Sequence, residues 1–213
     1  KSSTTTDVGS TVQGGGKVTL TAGQTLSATA ANVQAAGGLA VQAQDVRIEA
    51  GKSTTDFDEA HKVSGGGFFG GSTLVTRETS NTSTAVASNL GGATVDIMAN
   101  TQDINIKGSN VVSDNSTTLT AGGSVNIEAA TNSSQQSRYR QKTETGFLSG
   151  GGLSVSYGTR TQSNDGKDTT TTAAASTVGA VNGNVSISAG NQYKQVGSDV
   201  LTPKGDIKDR KST

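Results

Sequence analysis

The chain has 213 residues, 31% of them hydrophobic, 3% aromatic and 16% charged, with a formal net charge of zero. So neutral a chain offers no long-range field to nucleic acid or to an anionic membrane. A single proline, Pro203, and the low charge set it apart from ordinary disordered sequences. Cysteine is absent, so stability is expected to come from a hydrogen-bonded ladder and a core, without disulfides. No apolar run reaches the length of a membrane-spanning helix. The opening Lys1-Ser2-Ser3-Thr4 has no signal peptide, and the two ends are expected to be those of a piece cut from something longer.

In chain order, the first apolar bead is Val18-Thr19-Leu20, followed by Leu26 and Val33. It returns 21 residues later as Leu39-Ala40-Val41, with Val46 and Ile48 after it. Each bead alternates apolar with polar residues, the period-two signature of a strand with one buried face. Between beads stand Ala22-Gly23, Gly37-Gly38 and Ala50-Gly51, small residues suited to sharp corners.

Residues 52–85 break this pattern. A polar arm ending at His61-Lys62-Val63-Ser64 meets Gly65-Gly66-Gly67-Phe68-Phe69-Gly70-Gly71 and returns through Ser72-Thr73-Leu74-Val75. Glycine clusters between β-prone runs predict an antiparallel hairpin. Beads resume at 86–129. Val95 and Ile97 recur as Thr117 and Leu119, and Ile104-Asn105-Ile106 recurs 21 residues on as Val125-Asn126-Ile127. Residues 131–174 form a second excursion, with Gly146-Phe147-Leu148-Ser149-Gly150-Gly151-Gly152 at its bend and a further turn expected at Asn164-Asp165-Gly166-Lys167. A third block opens at Ala175-Ser176-Thr177 and contains Val185-Ser186-Ile187-Ser188-Ala189-Gly190.

These repeats predict one all-β segment over 1–213. It is a right-handed parallel β-helix with three strands per coil and about 21 residues per coil, from which two long antiparallel β-hairpins leave at 52–85 and 131–174. Five or six coils stacked at the usual strand spacing would give a core about 25–30 Å long. A leucine-rich repeat shares the period, but its recurring Leu and Asn framework is missing.

The bend at 146–153, followed by Thr169 to Thr172, Ser176-Thr177-Val178-Gly179, Gly183-Asn184-Val185 and Gly197-Ser198-Asp199-Val200-Leu201, resembles the haemagglutinin repeats of filamentous haemagglutinin and of the CdiA contact-dependent growth inhibition effectors. The resemblance is to their second, C-terminal-side repeat block, and is clearest at 86–129 and 146–207. The first bend departs from it, with Phe68-Phe69 where the second has Phe147-Leu148-Ser149. The resemblance implies a secreted exoprotein at the bacterial cell surface, passed through a dedicated outer-membrane two-partner transporter. In the effector branch it implies a part in carrying a C-terminal toxin across the target outer membrane. The expected function is therefore a structural stalk or delivery segment, monomeric when isolated. The alternative is an adhesin segment that mediates attachment to a receptor or glycan.

No cofactor, metal or catalytic residue is expected. His61 lies near Asp56, Asp58 and Glu59 but is the sole histidine, and reads as an exposed residue of a hairpin arm rather than a base or ligand. Asp165-Gly166-Lys167-Asp168 lacks the ligand count of a calcium loop. Gly14-Gly15-Gly16-Lys17 lacks the first glycine of a phosphate loop and reads as a corner. Glu49 and Glu128 occupy matching places in the repeat and are expected several coils apart, too far for the pair of a retaining glycosidase. The chain is thus expected not to be an enzyme, although polysaccharide cleavage is the activity this fold would suggest. The remaining candidates are Phe68, Phe69, Phe147 and Leu148. Their bland reading is packing on one another or on the helix; the sharper one is contact with a partner or membrane at the hairpin tips. Leu153, Val155 and Tyr157 alternate with small residues, as in a short strand with one face toward lipid.

Overall fold

The computed structural model describes residues 1–149 and 155–211. Before the first excursion lie β1 (Ser2–Thr6), β2 (Thr11–Gly14), β3 (Val18–Thr21), β4 (Thr25–Thr29), β5 (Asn32–Ala35), β6 (Gly38–Ala43) and β7 (Asp45–Glu49). The long strands β8 (Gly51–Gly67) and β9 (Gly70–Val86) follow, then β10 (Asn89–Ala99), β11 (Ile104–Lys107), β12 (Asn110–Ala121) and β13 (Val125–Glu128). A second long pair, β14 (Ala130–Ser149) and β15 (Val155–Ala174), precedes β16 (Thr177–Ala180), β17 (Val185–Ala189), β18 (Tyr193–Val196), β19 (Asp199–Leu201) and β20 (Ile207–Lys211). The described residues contain no helix.

The chain divides into two compact units. One comprises Lys1–Thr5, Thr54–Ser83 and Ser133–Thr171; the other comprises Thr6–Ser53, Thr84–Asn132 and Thr172–Thr213. The second unit carries a ten-stranded sheet and a five-stranded sheet, β18-β13-β11-β7-β4. Among the described residues the strands of these two sheets pair in parallel, β3 with β6, β10 with β12 and β11 with β13 among them. Parallel sheets assembled from such short strands make a β-helix-like fold.

Parallel register lines up like with like. Val18, Leu39, Val95, Thr117, Val185 and Ile207 form one column across six strands. Leu20, Val41, Ile97, Leu119 and Ile187 form the next, which ends on Asp209. In the smaller sheet Leu26, Val46, Ile104, Val125 and Tyr193 stand in line, as do Ala28, Ile48, Ile106, Ile127 and Gln195. The recurrences seen in the sequence (Val18 with Leu39, Val95 with Thr117, Ile104 with Val125) are therefore neighbours in space. One aliphatic core runs through these columns from Val33 to Ala189. Burying each Val, Leu or Ile contributes about 1.5–3 kcal/mol, and β-branched side chains suit the pleated surface. Thr117 occupies a column place otherwise held by aliphatics. Its buried hydroxyl donates to the Gly179 carbonyl at 2.6 Å and meets Ser113 Oγ at 2.9 Å.

One corner of this unit is polar and was not foreseen. The backbone N–H of Ala31 donates to Ser88 Oγ, that of Ser88 to Ser109 Oγ, that of Ser109 to Ser176 Oγ and that of Ser176 to Ser198 Oγ, at 3.0–3.3 Å. Ser88, Ser109 and Ser176 are completely buried. The residues just before Ala31, Ser109 and Ser198 turn through positive φ: Ala30 at 50°, Gly108 at 59° and Gly197 at 59°. Glycine takes that conformation freely, whereas alanine does so at a cost.

The first unit is a separate five-stranded sheet in the order β1-β8-β9-β14-β15. Strands β9 and β14 pair antiparallel, from Ser83 opposite Ser133 to Gly70 opposite Gly146. The further turn expected at Asn164-Asp165-Gly166-Lys167 does not form: β15 runs through it without a break. The Asp-Gly preference is local, and pairing along β14 overrides it.

Candidate functional site

Strand β8 ends at Gly67 and β9 begins at Gly70, leaving Phe68 and Phe69 as the two residues of the turn. Flanking glycines bring the arms close while supplying no side chain to cover the rings. Phe68 is 97% exposed, Phe69 69% and Phe147 62%. They nonetheless touch in series. Phe68 meets Phe69 edge-on with ring centroids 5.1 Å apart, Phe69 meets Phe147 at 6.5 Å, and Phe147 meets Tyr157 at 5.5 Å. Edge-to-face aromatic pairs at such distances attract by about 0.5–1.5 kcal/mol each.

Three of the four residues singled out in the sequence thus form one exposed aromatic row. Leu148 lies in β14, and its side chain is outside the described residues, as are Leu153 and the bend at 150–154. Sequence reasoning did not join Tyr157 to this row. The signal was an aromatic on each side of the glycine bend, at Phe147 and Tyr157.

The same sheet carries polar grooves. One of about 710 Å³ crosses all five strands and is lined by Ser3, Asp56, Asp58, Asn81, Gln135 and Lys167 among others. Two of its carboxylates are already paired: Asn81 Nδ2 donates to Asp56, and Arg77 Nη2 donates to Asp58 at 2.8 Å. The Arg77 hydrogen bond holds the Asp58 carboxyl below its ordinary range. His61 is exposed and 2.6 Å from Glu59 Oε1. Among the described residues, no group of three His, Cys, Asp or Glu side chains is arranged to hold a metal ion.

Glu49 and Glu128 are closer than expected. Lys107 pairs with both, so one strand separates them, or about 10 Å across two strand spacings. The expectation failed because it counted all the residues between the two, and those of β8 and β9 pair in the other sheet. The Nζ of Lys194 donates to Glu128 Oε1 at 2.6 Å and lowers that carboxyl's pKa. A general acid needs the opposite shift. The arrangement is a ladder of alternating charge on a sheet face.

The comparisons with known proteins agree with this architecture. The hemagglutinin repeat family matches residues 1–74 and 69–211. The chain is 30% identical over 198 residues to the tRNA nuclease CdiA-2 of Burkholderia pseudomallei strain 1026b, covering 92% of this chain and 6% of that protein. It is 35% identical over 179 residues to the tRNA nuclease CdiA of Escherichia coli strain STEC_O31, covering 82% and 5%. It is 33% identical over 200 residues to the 16S rRNA endonuclease CdiA of Enterobacter cloacae, covering 92% and 6%. This chain therefore spans about one-twentieth of the length of these relatives. No solved structure matches it. With the repeat matched over nearly its whole length, the chain belongs to the filamentous haemagglutinin and CdiA hemagglutinin repeat family.

Proposed function

We propose that this chain is a structural and delivery segment of a two-partner-secreted surface exoprotein of the contact-dependent growth inhibition type. In this reading it forms right-handed coils of three strands and about 21 residues. Two hairpins, at 52–85 and 131–174, leave the stack and return to it. The longer protein leaves its cell through an outer-membrane two-partner transporter and stands at the cell surface. There this segment helps carry a C-terminal toxin across the target outer membrane, with the row of Phe68, Phe69 and Phe147, and Leu148 beside it, meeting the target's membrane or receptor.

The observation that carries the proposal is the similarity to proteins named as CdiA nucleases over 82–92% of this chain, in a stretch that is only 5–6% of each. The nuclease names belong to those whole proteins. Here the architecture is a stacked core with a sheet of long polar strands, and Asp58 and Glu128 are ion-paired with Arg77 and Lys194. The aromatic row supports the contact surface, since exposed rings gain from burial against an apolar partner.

The test is to replace Phe68, Phe69, Phe147 and Leu148 with Ser in the complete protein. Export, attachment to target cells and toxin delivery are then measured separately. Normal export and attachment with lost delivery supports the proposal; normal delivery removes the contact role. Lost attachment with delivery otherwise intact favours an adhesin.

A further inference from the structure

The five-stranded sheet has a repeating rule that stops at one edge. Two kinds of strand alternate in it. Departing strands follow a parallel strand directly: β8 comes after β7, and β14 after β13. Returning strands lead into the next parallel strands: β1 before β2, β9 before β10 and β15 before β16. In the order β1-β8-β9-β14-β15, each returning strand before the last lies beside the departing strand of the following excursion.

The two junctions are built alike. At the first, Thr6 Oγ1 meets Ser53 Oγ at 2.8 Å and Thr4 Oγ1 meets Thr55 Oγ1 at 3.3 Å. At the second, Thr82 Oγ1 meets Ser134 Oγ at 3.4 Å and Arg138 Nε donates to Glu78 Oε1 at 3.2 Å. Strand β15 is a returning strand with β14 on one side and, among the described residues, nothing paired on the other.

That free edge is 20 residues long and contains no proline. Proteins ordinarily blunt edge strands by keeping them short, by proline or by bulges. Strand β15 carries Arg160 and Lys167 beside Asp165 and Asp168 and is balanced in charge, while the departing strand β14 carries Arg138, Arg140 and Lys142 against Glu144, so neither strand repels the other.

We propose that the outer edge of β15 is a docking edge for a departing strand of the β14 kind, supplied by a further copy of this repeat. The excursions of successive repeats then join into one continuous antiparallel sheet by strand addition. The inference rests on reading these strands as excursion arms.

It is tested with the whole chain and a peptide of residues 130–147, following amide hydrogen exchange. In the chain alone, alternate amides of β15 between Gly158 and Thr172 face away from β14 and exchange freely, while those of β9 and β14 are protected. The peptide is expected to slow the free set about tenfold or more. A peptide carrying Arg138→Pro and Lys142→Pro lacks two backbone donors and should bind about tenfold more weakly. Protected β9 and β14 amides with no slowing on β15 would overturn the docking edge and leave the excursion arms standing. Free exchange in β9 and β14 would overturn both.

Discussion

The hydroxyl of Ser88 donates to the backbone carbonyl of Glu49 at 2.7 Å, across 39 residues of chain. Glu49 is the last residue of β7, where the chain departs into β8, and Ser88 is where it comes back after β9. Ser176 repeats the relationship with Glu128, also at 2.7 Å, across the second departure. Each serine thus closes the backbone gap that an excursion opens. It donates to the carbonyl at the exit and accepts an N–H from the neighbouring strand. Where no excursion intervenes, Ser109 and Ser198 donate instead to the carbonyls of Lys107 and Val196, two residues earlier.

Removing the Ser88 hydroxyl leaves the buried Ala31 N–H without its partner and takes one of two donors from the Glu49 carbonyl, which keeps the Ala30 N–H. Ser88→Ala should destabilise the chain by about 1–3 kcal/mol, read from denaturant unfolding, with faster exchange of the Ala31 amide. Ser198→Ala, on a less buried rung, should cost less. Equal effects at the two positions would contradict this account of the ladder.

Ala30 takes the positive-φ corner that glycine fills at Gly108 and Gly197. A left-handed conformation costs an L residue about 1–2 kcal/mol, while glycine gives back about 0.5–1 kcal/mol in entropy. The substitution Ala30→Gly is therefore expected to stabilise the protein by up to about 1 kcal/mol. A lowered melting temperature would refute the argument.

Ile106 lies mid-column between Ile48 and Ile127 and is 1% exposed. Ile207, at the last place of its column, is 51% exposed. Ile106→Ala should cost about 2–5 kcal/mol, against about 1 kcal/mol or less for Ile207→Ala, whose side chain loses little burial. Equilibrium unfolding of the two variants compares them directly.

The hydrogen bond from Lys194 holds the Glu128 carboxyl below its ordinary pKa. A depressed folded-state pKa stabilises the protein at pH above the unfolded value, and that contribution is lost as pH falls through the folded one. Glu128→Gln should therefore lower stability slightly at neutral pH, the solvent-screened pair contributing little, and flatten the acid limb of the stability profile by the same small amount. An acid limb identical to that of the parent protein would count against the pairing.

The sequence carried the strand beads because alternation at period two survives on short segments. Val95 opposite Thr117 and Ile104 opposite Val125 are readable as recurrences in the sequence itself. The serine ladder was hidden because Ser and Thr are so common in this chain that three buried serines and a half-buried fourth do not stand out. Their partners are backbone atoms, which leave no residue-level mark. The nearness of Glu49 to Glu128 was hidden by counting chain length where only stacked residues matter. At the aromatic row, Phe68, Phe69 and Phe147 stood out by rarity, whereas the contact of Phe147 with Tyr157 depended on how the two arms meet. The straight course of β15 through Asn164-Asp165-Gly166-Lys167 shows a partner strand overruling local turn chemistry.

Along the column from Val18, the successive neighbours Leu39, Val95, Thr117, Val185 and Ile207 lie next to each other in the sheet, although the chain between them is long in two steps and short in the others. The interior takes no account of how much polypeptide is looped out at a corner. Such a scaffold can accept grafted or lengthened segments at 52–85 and 131–174 without repacking a single aliphatic side chain. Evolution, or an engineer, can vary what the protein presents while keeping what holds it upright.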